Sequence, residues 1–102
     1  MPAPELTTRQ EIMQILTGRL CSSRDLAESI GISERQVEDH LPHIIRSLAR
    51  DRHRRFVIQP AACRSCGFVF RGRTHLTRPS RCPKCRSEGI APPRFGIEGL
   101  QA

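Results

Sequence analysis

Apolar residues recur at helical spacing through the first half of the chain and at strand spacing in parts of the second. Ile12, Ile15, Leu16 and Leu20 form one stripe, and Thr8 with Glu11 stands before it at capping-box separation; together they predict a helix over residues 8–19, weakened at its end by Gly18. Ser22 or Ser23 caps a second helix that turns Leu26, Ala27 and Ile30 inward and stops at Gly31. Ser33 with Gln36 is a further capping box. Behind it Val37, Leu41, Ile44, Ile45 and Leu48 mark one face of a third helix reaching Arg50. Pro42 lies inside that helix and removes one backbone donor, so a bend away from the Glu38 carbonyl is expected there.

In the second half Phe56 to Gln59, Gly67 to Arg71 and Arg94 to Glu98 alternate with the two-residue period of half-buried strands. They predict a small antiparallel sheet with Phe56, Ile58, Phe68, Phe70, Phe95 and Ile97 on one face. The four phenylalanines are then core residues rather than base-stacking ones. The fold class expected is α+β: a three-helix domain over residues 1–51 followed by a small β domain over 52–102. The seam Asp51-Arg52-His53-Arg54-Arg55 is too short for a flexible tether, so the two are expected to be rigidly joined.

The strongest chemical signal is Cys63-Arg64-Ser65-Cys66 followed, after a gap of fifteen residues, by Cys82-Pro83-Lys84-Cys85. Two paired C-x2-C turns at that separation are the spacing of a four-thiolate zinc site. One structural Zn²⁺ is expected on Cys63, Cys66, Cys82 and Cys85, with no open position for catalysis. Gly67 supplies the positive φ that the first turn needs, whereas Arg86 stands in the second turn where glycine would be easier. Arg86 also sets a positive charge beside a site of net charge −2. Cys21, far from the other four, reads as a small buried or boundary hydrophobe.

Composition narrows the functions. The 102 residues carry 17 Lys and Arg against 10 Asp and Glu, a net charge of +7, with neither Trp nor Tyr. Residues 1–50 hold six arginines and seven acids, while residues 51–102 hold ten arginines and Lys84 against three acids, so the halves carry −1 and +8. Such a balance points to an anionic partner. There is no apolar run of membrane-spanning length and no basic-then-apolar leader, so a cytoplasmic protein is expected, in which paired cysteines bind metal rather than form disulfides. No nucleophile–base set or glycine-rich phosphate loop can be assembled, and no enzymatic activity is expected.

Over residues 22–45, the spacing of Ala27, Gly31 and Val37 resembles the helix-turn-helix motif. The third helix would then turn Arg35, Asp39, Pro42, His43, Arg46 and Arg50 outward. Ser33, Arg35 and Gln36 at its start are candidates for base edges, and His43, Arg46 and Arg50 further along for DNA contact. Arg52, Arg54 and Arg55 in the seam, with Arg71, Arg73, Arg78 and Arg81 beyond, would neutralise phosphates. Glu34, Glu38 and Asp39 on the same helix oppose this by repelling phosphate.

Leu26-Ala27, Gly31-Ile32-Ser33, Val37, the basic run after Leu48 and the two cysteine knuckles occur in an order that resembles small archaeal and bacterial predicted transcriptional regulators. In that family a helix-turn-helix domain is fused directly to a zinc ribbon. The resemblance covers residues 8–98 and implies a winged-helix type of fold, double-stranded DNA as partner and transcriptional control. Contact with the transcription machinery and a homodimer on a two-fold site are further expectations. Two alternatives stay open: a zinc-ribbon adaptor that docks on a protein of the transcription or translation machinery, and an RNA-binding protein.

Overall fold

The computed structural model describes residues 7–71 and 76–99; Arg73, one of the expected phosphate contacts, lies outside them. In chain order the elements are α1 (Thr8–Leu16), α2 (Ser23–Ile30), α3 (Glu34–Leu48), β1 (Arg54–Gln59), β2 (Ala62–Cys63), β3 (Ile90–Ala91) and β4 (Arg94–Gly99). Three helices followed by small antiparallel hairpins make the α+β class.

Each helix begins with a reciprocal cap. At α1 the capping residue is Thr7 rather than Thr8: Thr7 Oγ1 accepts the Gln10 N–H at 3.1 Å, and Gln10 Oε1 accepts the Thr7 N–H at 2.9 Å. Both Thr7-x-x-Gln10 and Thr8-x-x-Glu11 satisfy the sequence pattern, and the earlier pair wins. The helix also ends sooner than expected, at Leu16, which leaves Leu20 outside it and 42% exposed. Ser22 and Asp25 cap α2, and Gly31 closes it at φ 83° with its N–H donated to the Ala27 carbonyl at 2.8 Å. Ser33 and Gln36 cap α3, which runs unbroken through Pro42.

One cluster of buried side chains unites the helices: Ile12 and Leu16 from α1, Leu26 and Ala27 from α2, and Val37, Leu41, Ile44 and Leu48 from α3. Burial of an aliphatic side chain of this size contributes about 1.5–3 kcal/mol. Phe95 and Ile97 of β4 complete the same cluster, 0% and 2% exposed. A division of the chain at residue 51 sets Arg94–Gly99 with the second half, whereas packing sets Phe95 and Ile97 among the helices.

The strand β4 reaches the helices through backbone pairing on both of its edges. On one side it pairs antiparallel with β1 in the register Phe56↔Ile97 and Ile58↔Phe95. On the other, Cys21 and Phe95 exchange two hydrogen bonds of 2.8 and 2.7 Å, and Gly18 donates to the Ile97 carbonyl at 3.2 Å. The segment between α1 and α2 thus lies along β4 as an irregular third strand. Gly96 is the closest point of approach: a Cβ there would stand 2.8 Å from the Arg19 carbonyl oxygen, a distance real Cβ atoms do not tolerate. Cys21 is buried, as expected of a small hydrophobe, and burial followed by the Asp25 charge pushes its thiol up.

Residues 60–93 leave from the tip of the β1–β4 hairpin and return to it. Within them β2 pairs with β3, and a second, smaller cluster buries Ala61, Cys63, Cys82 and Ile90 under Phe68 and Phe70. The single sheet expected from the sequence is therefore two. Phe56 and Phe95 stack 5.9 Å apart against the helices, and Phe68 meets Phe70 edge-on at 5.0 Å in the insertion. Gly67 to Arg71 is not a strand; it makes one bridge, Ala62↔Val69. Ile58 lies outside the helical cluster and is 48% exposed, contrary to its expected place on the core face. Among the described residues no helix is long and apolar enough to cross a membrane.

Candidate metal centre and nucleic-acid surface

The four cysteines expected to bind zinc converge. Their sulfurs all lie within 4.8 Å of one another, with Cys63 Sγ 3.5 Å from Cys85 Sγ and Cys66 Sγ 3.6 Å from Cys82 Sγ. A zinc tetrahedron with Zn–S bonds of about 2.3 Å has edges near 3.8 Å, so one ion fits among them with little adjustment.

Two matching turns hold the sulfurs. In the first, Cys63 donates its N–H to the Phe68 carbonyl at 2.8 Å, Gly67 donates to the Cys63 carbonyl at 3.0 Å, and the Ser65 N–H points at Cys63 Sγ at 3.4 Å. The second repeats the plan: Cys82 to the Ser87 carbonyl at 2.9 Å, Arg86 to the Cys82 carbonyl at 2.8 Å, and the Lys84 N–H to Cys82 Sγ at 3.4 Å. A 2.9 Å hydrogen bond from Ser65 Oγ to Ser87 Oγ ties the two turns together. Amide hydrogens aimed at sulfur favour thiolate over thiol. The amide of Cys66, followed by that of Ser65, brings Cys63 down to about 6 against the cost of its burial. At Cys85 the Ser87 amide acts downward, but the crowding of the other three sulfurs and burial together outweigh it, and the thiol is pushed up to about 12. Four sulfurs this close cannot all ionise alone, and a divalent cation supplies the missing charge.

Gly67 and Arg86 occupy equivalent places in the two turns, at φ 79° and φ 64°. Glycine adopts that conformation freely, whereas an L side chain there costs about 1–2 kcal/mol. Arg86 is exposed, and among the described residues its side chain makes no ion pair.

The residues expected at DNA are spread over α3 and the seam. Arg35, His43, Arg46 and Arg50 are exposed, together with Ser33 and Gln36. Ser33 Oγ and Gln36 Oε1 are both engaged in the cap of α3, at 3.1 and 2.9 Å, so only the remaining donors of Gln36 are free. Arg54 is bound to Asp51 at 3.0 Å and Arg55 is paired with Glu98 across the β1–β4 hairpin, while Arg52 is exposed. Glu34 and Asp39 are exposed on α3, and burial with the neighbouring charges of Glu34 and Asp39 pushes the Glu38 carboxyl up. From Glu34 to Arg50 three acids balance three arginines, so this stretch has no formal net charge. Sequence spacing located the cysteines and the Ser33–Gln36 cap, but not the ion pairs of Arg54 and Arg55.

A closed four-thiolate centre on paired knuckles, carried at the tip of a hairpin that packs on three helices, defines a zinc-ribbon protein with a structural metal. Residues 7–57 match the family described as PF0610-like, N-terminal, and residues 60–99 match the PF0610 rubredoxin-like zinc beta-ribbon domain. The chain belongs to the PF0610-like family. It is similar to the solution NMR structure of protein PF0610 from Pyrococcus furiosus, with 34% identity and a TM-score of 0.73 over 96% of this chain and 94% of that one. No curated protein matches the chain.

Proposed function

We propose that this protein binds duplex DNA as a transcriptional regulator, with α2 and α3 acting as a helix-turn-helix and the β1–β4 hairpin as its wing. The observation that carries the proposal is the α2–α3 junction. Ala27 and Val37 are buried between the helices, and Gly31 between them takes the left-handed turn, as the motif requires. The outer face of α3 then presents Arg35, Gln36, His43, Arg46 and Arg50 to a groove, with Arg52 beside it and the basic ribbon on the phosphates. The zinc serves structure, and the chain has no catalytic role in this proposal.

The test is titration of zinc-loaded protein into labelled random duplex at low and moderate salt, with matched RNA as competitor. Preference for duplex and a steep fall with salt are expected. Absence of binding at low salt overturns the proposal in favour of a protein-docking adaptor, and RNA competing better than duplex overturns it in favour of RNA.

A further inference from the structure

Redrawing the charge along the observed architecture moves it. Residues 60–93 hold six arginines and Lys84 against the lone Glu88, a net +6, while the rest of the chain, α3 included, sums to +1. The partner's electrostatic attraction is therefore centred on the ribbon and not on the helices.

We propose that the zinc knuckles carry a phosphate-backbone contact for duplex DNA, made by Arg64, Lys84 and Arg86. This rests on the DNA-binding function proposed above and names where its anchoring charge sits. The three side chains are exposed and lie in the two turns that converge on one metal. Arg64 and Arg86 adjoin the serines that bond to each other across the knuckles, Ser65 and Ser87. None of the three has an ion-pair partner among the described residues, whereas Arg81 in the same insertion is paired with Glu88 at 3.4 Å. Arg86 also holds a backbone conformation that its counterpart Gly67 reaches without strain, which is the pattern of a side chain kept for what it touches.

Two other surfaces are weaker candidates. The cleft of about 890 Å³ between α2 and the ribbon, whose lining includes Arg64 at the edge of the knuckles, mixes Asp25, Glu28 and Glu34 with arginines and has no single sign. A protein partner would need an apolar anchor at the centre of its footprint. Among the described residues the exposed large hydrophobic side chains are Leu20 and Ile58, both outside the ribbon.

The experiment compares full-length zinc-loaded protein with the triple variant Arg64→Ala, Lys84→Ala, Arg86→Gly, and with the single Arg86→Gly. Zinc per chain is measured for each, and duplex affinity is followed by fluorescence anisotropy across salt. Losing three phosphate contacts lowers the slope of log affinity against log salt by about 2.7, so the fall in affinity between about 50 and 200 mM salt shrinks roughly 40-fold; Arg86→Gly alone accounts for about 0.9. Both variants are expected to retain one zinc. An unchanged slope with zinc retained overturns the contact. Loss of zinc from Arg86→Gly also overturns it, because Arg86 would then be a counter-charge to the thiolates. If the unaltered protein fails to bind duplex at all, it is the DNA-binding proposal that falls.

Discussion

Stripping the zinc should loosen the hairpin that completes the helical core without unfolding the helices. Among the described residues the buried apolar cluster of the insertion is Ala61, Cys63, Cys82 and Ile90, and two of these are metal ligands, so it has little to hold it once the metal is gone. With zinc in place, Ala62 pairs with Ala91 and closes the connection between Gln59 and Arg94 through Pro60, Ala61, Pro92 and Pro93. Without it the same connection becomes a flexible loop. Growing from about 4 to about 34 residues raises the closure cost by about 2 kcal/mol on the logarithmic scaling of loop entropy. That cost falls on the docking of β4, and hence on Phe95 and Ile97 in the helical cluster. The other fully buried members of that cluster come from residues 12–48, and from the insertion Leu76 packs against them only part-buried. The expected result is a helical circular-dichroism signal that survives chelation at room temperature, with a midpoint lowered by roughly 8–16 °C for a unit of this size. Paired Cys63→Ser and Cys66→Ser substitutions should give the same shift without chelator. Collapse of the helical signal on chelation would refute the reasoning, because the core would then need the metal directly. An unmoved midpoint would refute it too, because β4 would then be docked regardless of its loop.

Three further outcomes are expected. Gly96→Ala forces a Cβ against the Arg19 carbonyl and should lower stability by about 1–3 kcal/mol in denaturant unfolding, with zinc content unchanged. Arg86→Gly should raise the stability of the zinc-loaded ribbon by about 1 kcal/mol in guanidinium titration, because glycine takes the left-handed turn without strain. The Asp51 carboxylate accepts the His53 and Arg54 amides at 2.7 and 3.1 Å, and the His53 bond is the largest cause holding it below its usual value. A group depressed in the folded state stabilises above its unfolded value of about 3.9 and loses that contribution as pH falls through the lower folded value. Asp51→Asn should therefore flatten the acid limb of the stability–pH profile while leaving neutral helix content unchanged.

Local chemistry made much of this fold legible. Ser33 with Gln36, the left-handed Gly31 and the stripe Val37, Leu41, Ile44 and Leu48 sit where short-range rules place them, because caps and helical faces are decided within one or two turns. The zinc quartet is legible for the same reason: each knuckle is a four-residue turn, and only the gap between them is long. The pairing of β4 is long-range. Nothing near Arg94–Gly99 announces that its neighbours are Cys21 on one edge and Phe56 on the other. Strand periodicity at Gly67 to Arg71 is realised only in part: the Cys63 amide to the Phe68 carbonyl and the Phe70 amide to the Ala61 carbonyl make the single bridge Ala62↔Val69, and the pairing goes no further. The basic face of α3 follows from helical angles, and the capping box that engages Ser33 and Gln36 is legible in the same residues.

The proline steps explain how a rigid metal site can stand at the end of the β1–β4 hairpin. Pro60 follows β1, and Pro92 and Pro93 precede β4, so the ladder of one sheet cannot run on into the other where the backbone donors are missing. The twist of β1–β4 is therefore not imposed on β2–β3, and these stiff residues, with Leu76 packed against the helical cluster, set the direction of the ribbon. An insertion with net charge +6 thus adjoins a helical unit with net charge near zero. Under the proposed function this divides the labour: α3, with its acids, discriminates between sequences weakly bound by charge, and the ribbon supplies attraction that is indifferent to sequence. Exchanging the ribbon's arginines for neutral residues should then lower affinity for all duplexes alike, while changes at Arg35 or Gln36 should alter the ranking among them.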